Sequence, residues 1–258
     1  MEGPTSQNKG EQPRFIDRRL VINISMPKYI NKNNIIEIEP IGPAQTKAFA
    51  EYAEGKNLFL TGSAGTGKTF ILLHLAFAEV FNDDTPYDKV IVIRSLLPSR
   101  DAGFHSGSLE EKAMYYQAPY KMLVKFLFEM QSKEEFAALW DLLIEQESVE
   151  FQTTSFLRGQ TFDNAIIICD EAQNLNFNEL DTVMCRVGQN SKIMFSGDEA
   201  QTAFIDKKEA EGYYNFQGIL GEMSECEVIK FGIGDILRSG LCRSYLIAKE
   251  QFGAQLNA

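Results

Sequence analysis

The chain has 258 residues, of which 44% are hydrophobic and 24% are charged, a balance that suits a folded protein with a sizeable core. The formal net charge of −11 argues against a protein that coats nucleic acid through a broad basic face, so any contact with RNA or DNA has to be local. The apolar runs are shorter than the ~20 residues of a membrane helix, no secretory signal is recognisable, and the four cysteines form no CxxC pair, which favours a cytoplasmic protein without zinc whose cysteines are buried.

The first predicted elements follow a polar segment. Residues 1–14 carry too few apolar side chains to pack and are expected to be disordered, while residues 15–258 are expected to form a single domain. Two short β-like runs come next, Leu20–Ile24 and Ile35–Glu39, and a helical pattern covers Ala44–Glu54.

Apolar, β-branched runs then alternate with helical patterns along the chain. In several of them the hydrophobicity is nearly continuous, which is typical of strands covered on both faces of a parallel sheet. The alternation predicts a doubly wound α/β fold with a mostly parallel sheet and helices on both faces. The runs are Leu58–Leu60, Val90–Ile93, Val149–Thr154, Ala165–Cys169, Lys192–Phe195 and Glu227–Phe231, and the helical patterns are Thr69–Phe81, Glu110–Gln131, Glu134–Gln146 and Asn178–Val187.

The segment GSAGTGKT matches the pattern GxxxxGK[ST] between a predicted strand and a predicted helix. Its glycines let backbone N–H groups turn inward around an anion, and the start of the helix adds its positive end. A chance glycine turn is the alternative, but it would not require a strand before it and a helix after it. Lys68 can reach the β- and γ-phosphates of ATP, and the Thr69 hydroxyl can ligate Mg²⁺. The predicted cofactor-binding residues are Gly62, Ser63, Ala64, Gly65, Thr66, Gly67, Lys68 and Thr69.

Two predicted strands end in polar side chains that suit hydrolysis. Asp170 and Glu171 follow one strand, where Asp170 would hold Mg²⁺ and Glu171 would act as general base toward water. An Asp-Glu pair is also a good helix start, which is the structural alternative. The next strand ends in SGDEAQ, where Gln201 is predicted to sense the γ-phosphate and Asp198 to hold water or the metal shell, unless the segment is only a polar turn.

Four motifs in this order resemble the PhoH family, phosphate-starvation-inducible ATPases related to superfamily-1 helicases. They are GSAGTGKT, VIVIRSLLPSRDAGFHSGSLEEK, SFLRGQTFDNAIIICDEAQNLN and SKIMFSGDEAQTAF, and the match covers most of residues 40–250. The resemblance implies a P-loop NTPase with a RecA-like sheet, an ATPase activity, and Gln45 as a reader of the adenine edge. Gln45 is otherwise explained as a residue at a helix start.

The resemblance also places an arginine near the end of the last strand, at Arg238. An arginine that meets the charge of phosphoryl transfer can be worth ~10³ or more in rate. Arg238 could serve its own site or a neighbour's, or it could form a surface salt bridge on the C-terminal helix. Superfamily-1 helicases take this arginine from a second RecA-like domain. Because only one such domain is predicted here, we expect a homo-oligomer in which a neighbouring subunit supplies the arginine, with a hexamer as the favoured size.

Two functions remain open at this point. One is an ATP-driven, helicase-like enzyme that acts on single-stranded RNA or DNA, and the other is a nucleotide-regulated oligomeric scaffold that hydrolyses ATP slowly. A small-molecule kinase fits less well, because Glu171 favours water as the acceptor. Some residues could contact a nucleic-acid strand, or could instead belong to the core or to subunit contacts. They are Arg94, Ser95, Arg100, Phe104, Lys112, Tyr115, Tyr116 and Arg158.

Overall fold

A computed structural model describes residues 30–95, 109–198 and 207–256 of the chain. In that part six strands form one sheet, and every neighbouring pair runs parallel, so the predicted α/β fold is confirmed. The strands are β1 (Asn57–Gly62), β2 (Lys89–Arg94), β3 (Val149–Thr153), β4 (Ala165–Asp170), β5 (Lys192–Ser196) and β6 (Cys226–Phe231), and their order across the sheet is β3-β2-β4-β5-β1-β6.

Seven α-helices accompany the sheet in the described part of the chain. They are α1 (Pro43–Ala53), α2 (Lys68–Val80), α3 (Leu109–Leu127), α4 (Lys133–Glu145), α5 (Phe177–Met184), α6 (Lys207–Gly221) and α7 (Gly240–Leu256). None of the helices described here is long and apolar enough to cross a membrane.

Both faces of the sheet are buried, as the continuous hydrophobicity of the strands predicts. Side chains alternate along β1, so Leu58 and Leu60 pack on one face while Phe59 packs on the other. Helices α1 to α4 contribute to the first core, and α5 and α6 contribute to the second. Because all strands are parallel, their carboxyl ends share one edge, where β5 lies between β1 and β4.

The prediction of a strand at Ile35–Glu39 is wrong. The backbone here bonds to helix ends instead of to a strand, since Lys32 N–H donates to the Phe81 carbonyl beyond α2 and Ile36 N–H donates to the Leu127 carbonyl of α3. Ile35 is buried against these helices, which accounts for the apolar pattern. The predicted run Leu20–Ile24 and the tail at 1–14 lie outside the described residues.

The expectation that all cysteines are buried holds for Cys169 and Cys226 and is wrong for Cys185 and Cys242. Cys185 caps the C-terminus of α5, and Cys242 lies in the first turn of α7. Both positions are on the surface because they belong to helix ends that do not face either core.

Candidate active site

The segment GSAGTGKT connects β1 to α2 at the carboxyl edge of the sheet. Its glycines at 62, 65 and 67 all have positive φ, at 109°, 73° and 86°. A Cβ at Gly62 would lie 2.0 Å from the Phe231 carbonyl oxygen, so the loop can lie against β6 only with glycine there. Gly67 is the left-handed residue that precedes α2, which directs the first N–H groups of that helix into the loop.

Lys68 is the first residue of α2, and its side chain folds back over the loop. Its Nζ donates to the carbonyl oxygens of Gly62 and Ser63 at 2.9 and 2.8 Å. Burial lowers the pKa of Lys68, while the negative charges of Asp198 and Asp170 oppose that shift. Carbonyl oxygens are weaker partners for an ammonium group than phosphate oxygens, so a bound phosphate can take their place.

The buried carboxylate of Asp170, the last residue of β4, accepts hydrogen bonds from three hydroxyl groups. Thr69 donates to Oδ1 at 2.9 Å, Ser196 at the end of β5 also donates to Oδ1, and Tyr120 of α3 donates to Oδ2 at 2.7 Å. Burial, and then the charge of Asp170, raise the pKa of Tyr120, so its phenol stays protonated and acts as the donor. The sequence interpretation had assigned no role to Tyr120 or to the Ser196 hydroxyl.

The pairing of Thr69 with Asp170 fits a magnesium ion. Hydroxyl and carboxylate oxygens are hard ligands, and Mg²⁺ in nucleotide sites takes one or two protein ligands beside phosphate oxygens and water. The described residues contain no group of three or more His, Cys, Asp or Glu side chains that could hold a metal by themselves. Thr69 and Asp170 would therefore hold Mg²⁺ together with a bound nucleotide.

Glu171 follows Asp170 in a left-handed conformation, with φ of 55°. Such a conformation is strained for a residue with a side chain and is found preferentially at functional sites. Its carboxylate accepts a hydrogen bond from Gln173 Nε2 at 2.6 Å and lies 3.9 Å from the Arg94 guanidinium at the end of β2. The side chain is 37% exposed, so water can reach the carboxylate that is predicted to activate it.

Gln173 links the two acidic strand ends. Its side chain is buried, its amide nitrogen donates to Glu171, and its amide oxygen accepts from the Asp198 N–H at 3.0 Å. Gln173 therefore connects the backbone at the end of β5 to the Glu171 carboxylate. Gln201, predicted as the phosphate sensor, lies outside the described residues.

Arg238 lies beside the phosphate loop of its own chain. The preceding Leu237 N–H donates to the Gly65 carbonyl at 3.0 Å, and a Cβ at Gly65 would meet the Arg238 side chain at 2.8 Å. Arg238 is exposed, and no ion pair of its side chain occurs among the described residues, which disfavours the salt-bridge alternative. Ser63 of the loop also contacts Glu250 of α7 through a hydrogen bond.

Gln45 is buried below the phosphate loop. Its amide oxygen accepts from the Ile41 N–H at 2.8 Å, and its amide nitrogen donates to the Thr66 carbonyl at 3.1 Å. The amide thereby ties the start of α1 to the loop. One N–H and one lone pair are left over, and the role in reading adenine stays a prediction.

Most of the predicted site residues that the structure describes line one cavity of about 570 Å³, a volume in the range of small-molecule sites. The lining includes residues 64–69 of the loop, the strand-end residues Asp170, Glu171 and Asp198, and Leu237 and Arg238. Pro119, Met122 and Leu123 of α3 also line it.

The structure describes only some of the residues that were considered as contacts to a nucleic-acid strand. Arg94 lies beside Glu171, Ser95 is buried, and Arg158 is exposed. Arg100 and Phe104, and the side chains of Lys112, Tyr115 and Tyr116, lie outside the described part of the structure.

Comparisons with known proteins place the chain in a family. The model of the family described as PhoH-like protein matches residues 37–249. Protein PhoH of Escherichia coli K12 is 32% identical over 200 residues, which cover 76% of this chain and 53% of that protein. The PhoH-like protein of Synechocystis sp. PCC 6803 is 30% identical over 194 residues, which cover 75% of this chain and 56% of that protein.

The chain spans about half the length of these curated relatives. Among solved structures, unliganded Pif1 from Bacteroides sp. matches at 16% identity with a TM-score of 0.36, over 78% of this chain and 43% of that one. Because the family model covers more than half of the sequence, including the phosphate loop and both acidic strand ends, the chain belongs to the PhoH-like protein family.

Proposed function

We propose that the chain binds ATP with Mg²⁺ at its phosphate loop and hydrolyses the terminal phosphate. The observation that carries this proposal is the arrangement around one cavity, where Lys68 and Thr69 face Asp170 and Glu171. A loop that only binds phosphate needs no second carboxylate, whereas hydrolysis needs a group that activates water.

Each of these residues has a distinct part in the proposed reaction. The loop N–H groups and Lys68 bind the β- and γ-phosphates, and Thr69 and Asp170 would hold Mg²⁺, which would neutralise charge on the phosphate oxygens. Glu171 accepts a proton from a water molecule while the oxygen of that water bonds to the γ-phosphorus. The bond between the γ-phosphorus and the β–γ bridging oxygen breaks, and ADP and phosphate are released. Arg238, beside Gly65, stabilises the charge that develops on the transferred group.

The direct test is ATP turnover by the purified chain with and without Mg²⁺. Phosphate release that requires Mg²⁺ and is lost in Lys68→Ala supports the proposal. A Lys230→Ala chain is the matched control, because Lys230 is an exposed lysine on β6. Equal turnover of Lys68→Ala and the control would refute the assignment of the site.

The proposed target of this activity is single-stranded RNA or DNA. Two exposed aromatic side chains, Phe156 and Phe177, follow the carboxyl ends of β3 and β4. Their segments are joined by a hydrogen bond from the Thr154 hydroxyl to the Glu179 carboxylate, at 3.1 Å. Aromatic faces of this kind stack on bases without sequence preference. Single strands should then stimulate ATP turnover, and the effect should weaken as salt rises. Absence of stimulation at low salt would contradict this target.

The exposed face of α7 favours a second candidate, a nucleotide-regulated homo-oligomer. Leu241, Tyr245 and Phe252 are 87%, 63% and 62% exposed, and their spacing of four and seven residues puts them on one side of the helix. Unpaired apolar stripes of this kind mark protein contacts. A second copy of the chain is the proposed occupant, in a ring of six. Native mass measured with and without ATP tests this, and a monomer under both conditions would exclude it.

A further inference from the structure

We propose that Tyr120 is a positioning residue that holds the magnesium-binding carboxylate in its working orientation. The inference rests on the proposed function of the site. Its basis is that the two carboxylate oxygens of Asp170 have different partners. Oδ1 accepts a hydrogen bond from Thr69 next to the phosphate loop, whereas Oδ2 is bonded to Tyr120 alone among the described residues.

The terminal torsion of an aspartate side chain is soft, so the carboxylate plane is fixed only by its hydrogen bonds. Thr69 and Ser196 both bond to Oδ1 and therefore hold only that oxygen of the carboxylate. The bond from Tyr120 to Oδ2 at 2.7 Å supplies the second point. It also satisfies a buried carboxylate oxygen that would otherwise lack a partner.

Tyr120 is itself held rigidly. Its ring is buried against Phe151 of β3, at 5.6 Å between ring centroids, and Phe151 in turn contacts Trp140 of α4 at 5.9 Å. These contacts involve the ring, so phenylalanine would keep them. The hydroxyl is the part of the side chain that acts on the site, and partners of metal ligands in this position change metal affinity when removed.

The test is metal binding by Tyr120→Phe, measured as Mn²⁺ titration by electron paramagnetic resonance in the presence of a non-hydrolysable ATP analogue. We expect Mn²⁺ affinity to fall about tenfold or more, with a similar rise in the Mg²⁺ concentration for half-maximal turnover. Affinity for the nucleotide in the presence of a chelator should not change. Tyr52→Phe is the matched control, because its buried hydroxyl has no hydrogen-bond partner among the described residues.

A double-mutant cycle separates positioning from packing. In an Asp170→Asn background, Tyr120→Phe should cause no further loss of Mn²⁺ affinity, because the tyrosine acts through that carboxylate. Three results would each overturn the inference: wild-type Mn²⁺ affinity in Tyr120→Phe, additive losses in the cycle, and a failure of Tyr120→Phe to fold. If the wild-type chain binds Mn²⁺ and nucleotide but does not hydrolyse ATP, the proposed hydrolysis fails while this inference stands. A wild-type chain that binds neither refutes both.

Discussion

Replacing Gly62 with alanine tests the packing of the phosphate loop against the edge of the sheet. Gly62 ends β1 in register with Phe231 of β6, and the Ser63 N–H donates to the Phe231 carbonyl at 3.0 Å. An added Cβ would lie 2.0 Å from that carbonyl oxygen. The oxygen belongs to the backbone and a Cβ is fixed by its own Cα, so neither can rotate away. One strand end therefore has to move, and the hydrogen bond is lost.

The size of the effect follows from three contributions. The left-handed φ of 109° makes alanine strained, which costs about 1–3 kcal/mol. The lost hydrogen bond adds about 1 kcal/mol, and the displaced strand end adds at least about 1 kcal/mol of overpacking. Gly55→Ala is the matched control, because Gly55 has φ of 91° and nothing within 4 Å of an added Cβ, so it isolates the strain.

Gly62→Ala should therefore be less stable than Gly55→Ala by about 2 kcal/mol, which corresponds to roughly 4–8 °C in a chain of this size. Thermal unfolding followed by circular dichroism measures this difference. The Gly62→Ala chain should also bind ATP more weakly than the Gly55→Ala chain, because the loop moves with the strand. Equal unfolding temperatures for the two variants would show that the loop does not pack against β6 as described.

Three further predictions follow from the described contacts. Lys68→Ala should lose ATP binding, as read by a fluorescent ATP analogue, and retained affinity would show that the ammonium does not contact phosphate. Gln173→Leu should slow hydrolysis about tenfold or more by releasing the carboxylate of Glu171, the proposed general base, with ATP affinity unchanged in the same binding assay; unchanged turnover would refute the link between Gln173 and Glu171. Burial raises the pKa of Cys169, so mass spectrometry after mild alkylation should find Cys185 and Cys242 modified in the folded chain and Cys169 unmodified, whereas early labelling of Cys169 would contradict its burial.

Much of the fold could be predicted because its signals are local. Strands β1, β2, β4 and β5 contain contiguous apolar runs, and the phosphate loop is a contiguous motif between a strand and a helix. Helix α6 was not predicted, because Gly212 and Gly218 and a polar first turn weaken its helical pattern. Its buried residues, Tyr213, Phe216 and Leu220, have helical spacing that a closer inspection of this segment could have found.

The site was predictable only where its residues follow strand ends. Asp170 and Glu171 carry that signal, but Tyr120 lies 50 residues before Asp170, in the middle of a helix that contains a proline. Nothing in its local sequence separates it from a core tyrosine. Arg94 was considered as a possible nucleic-acid contact near a strand end, and the structure shows that parallel pairing with β4 sets it beside Glu171, a contact that the sequence did not indicate.

Turnover by Glu171→Gln tests the central claim most directly. Glu147→Gln is the matched control, because Glu147 has the same left-handed φ of 55° and is exposed away from the cavity. We predict that Glu171→Gln binds ATP with Mg²⁺ as the wild type does and releases phosphate at least about 10²-fold more slowly, while Glu147→Gln turns over normally. Wild-type phosphate release by Glu171→Gln would contradict the assignment of Glu171 as the base and, with it, the proposed hydrolytic site.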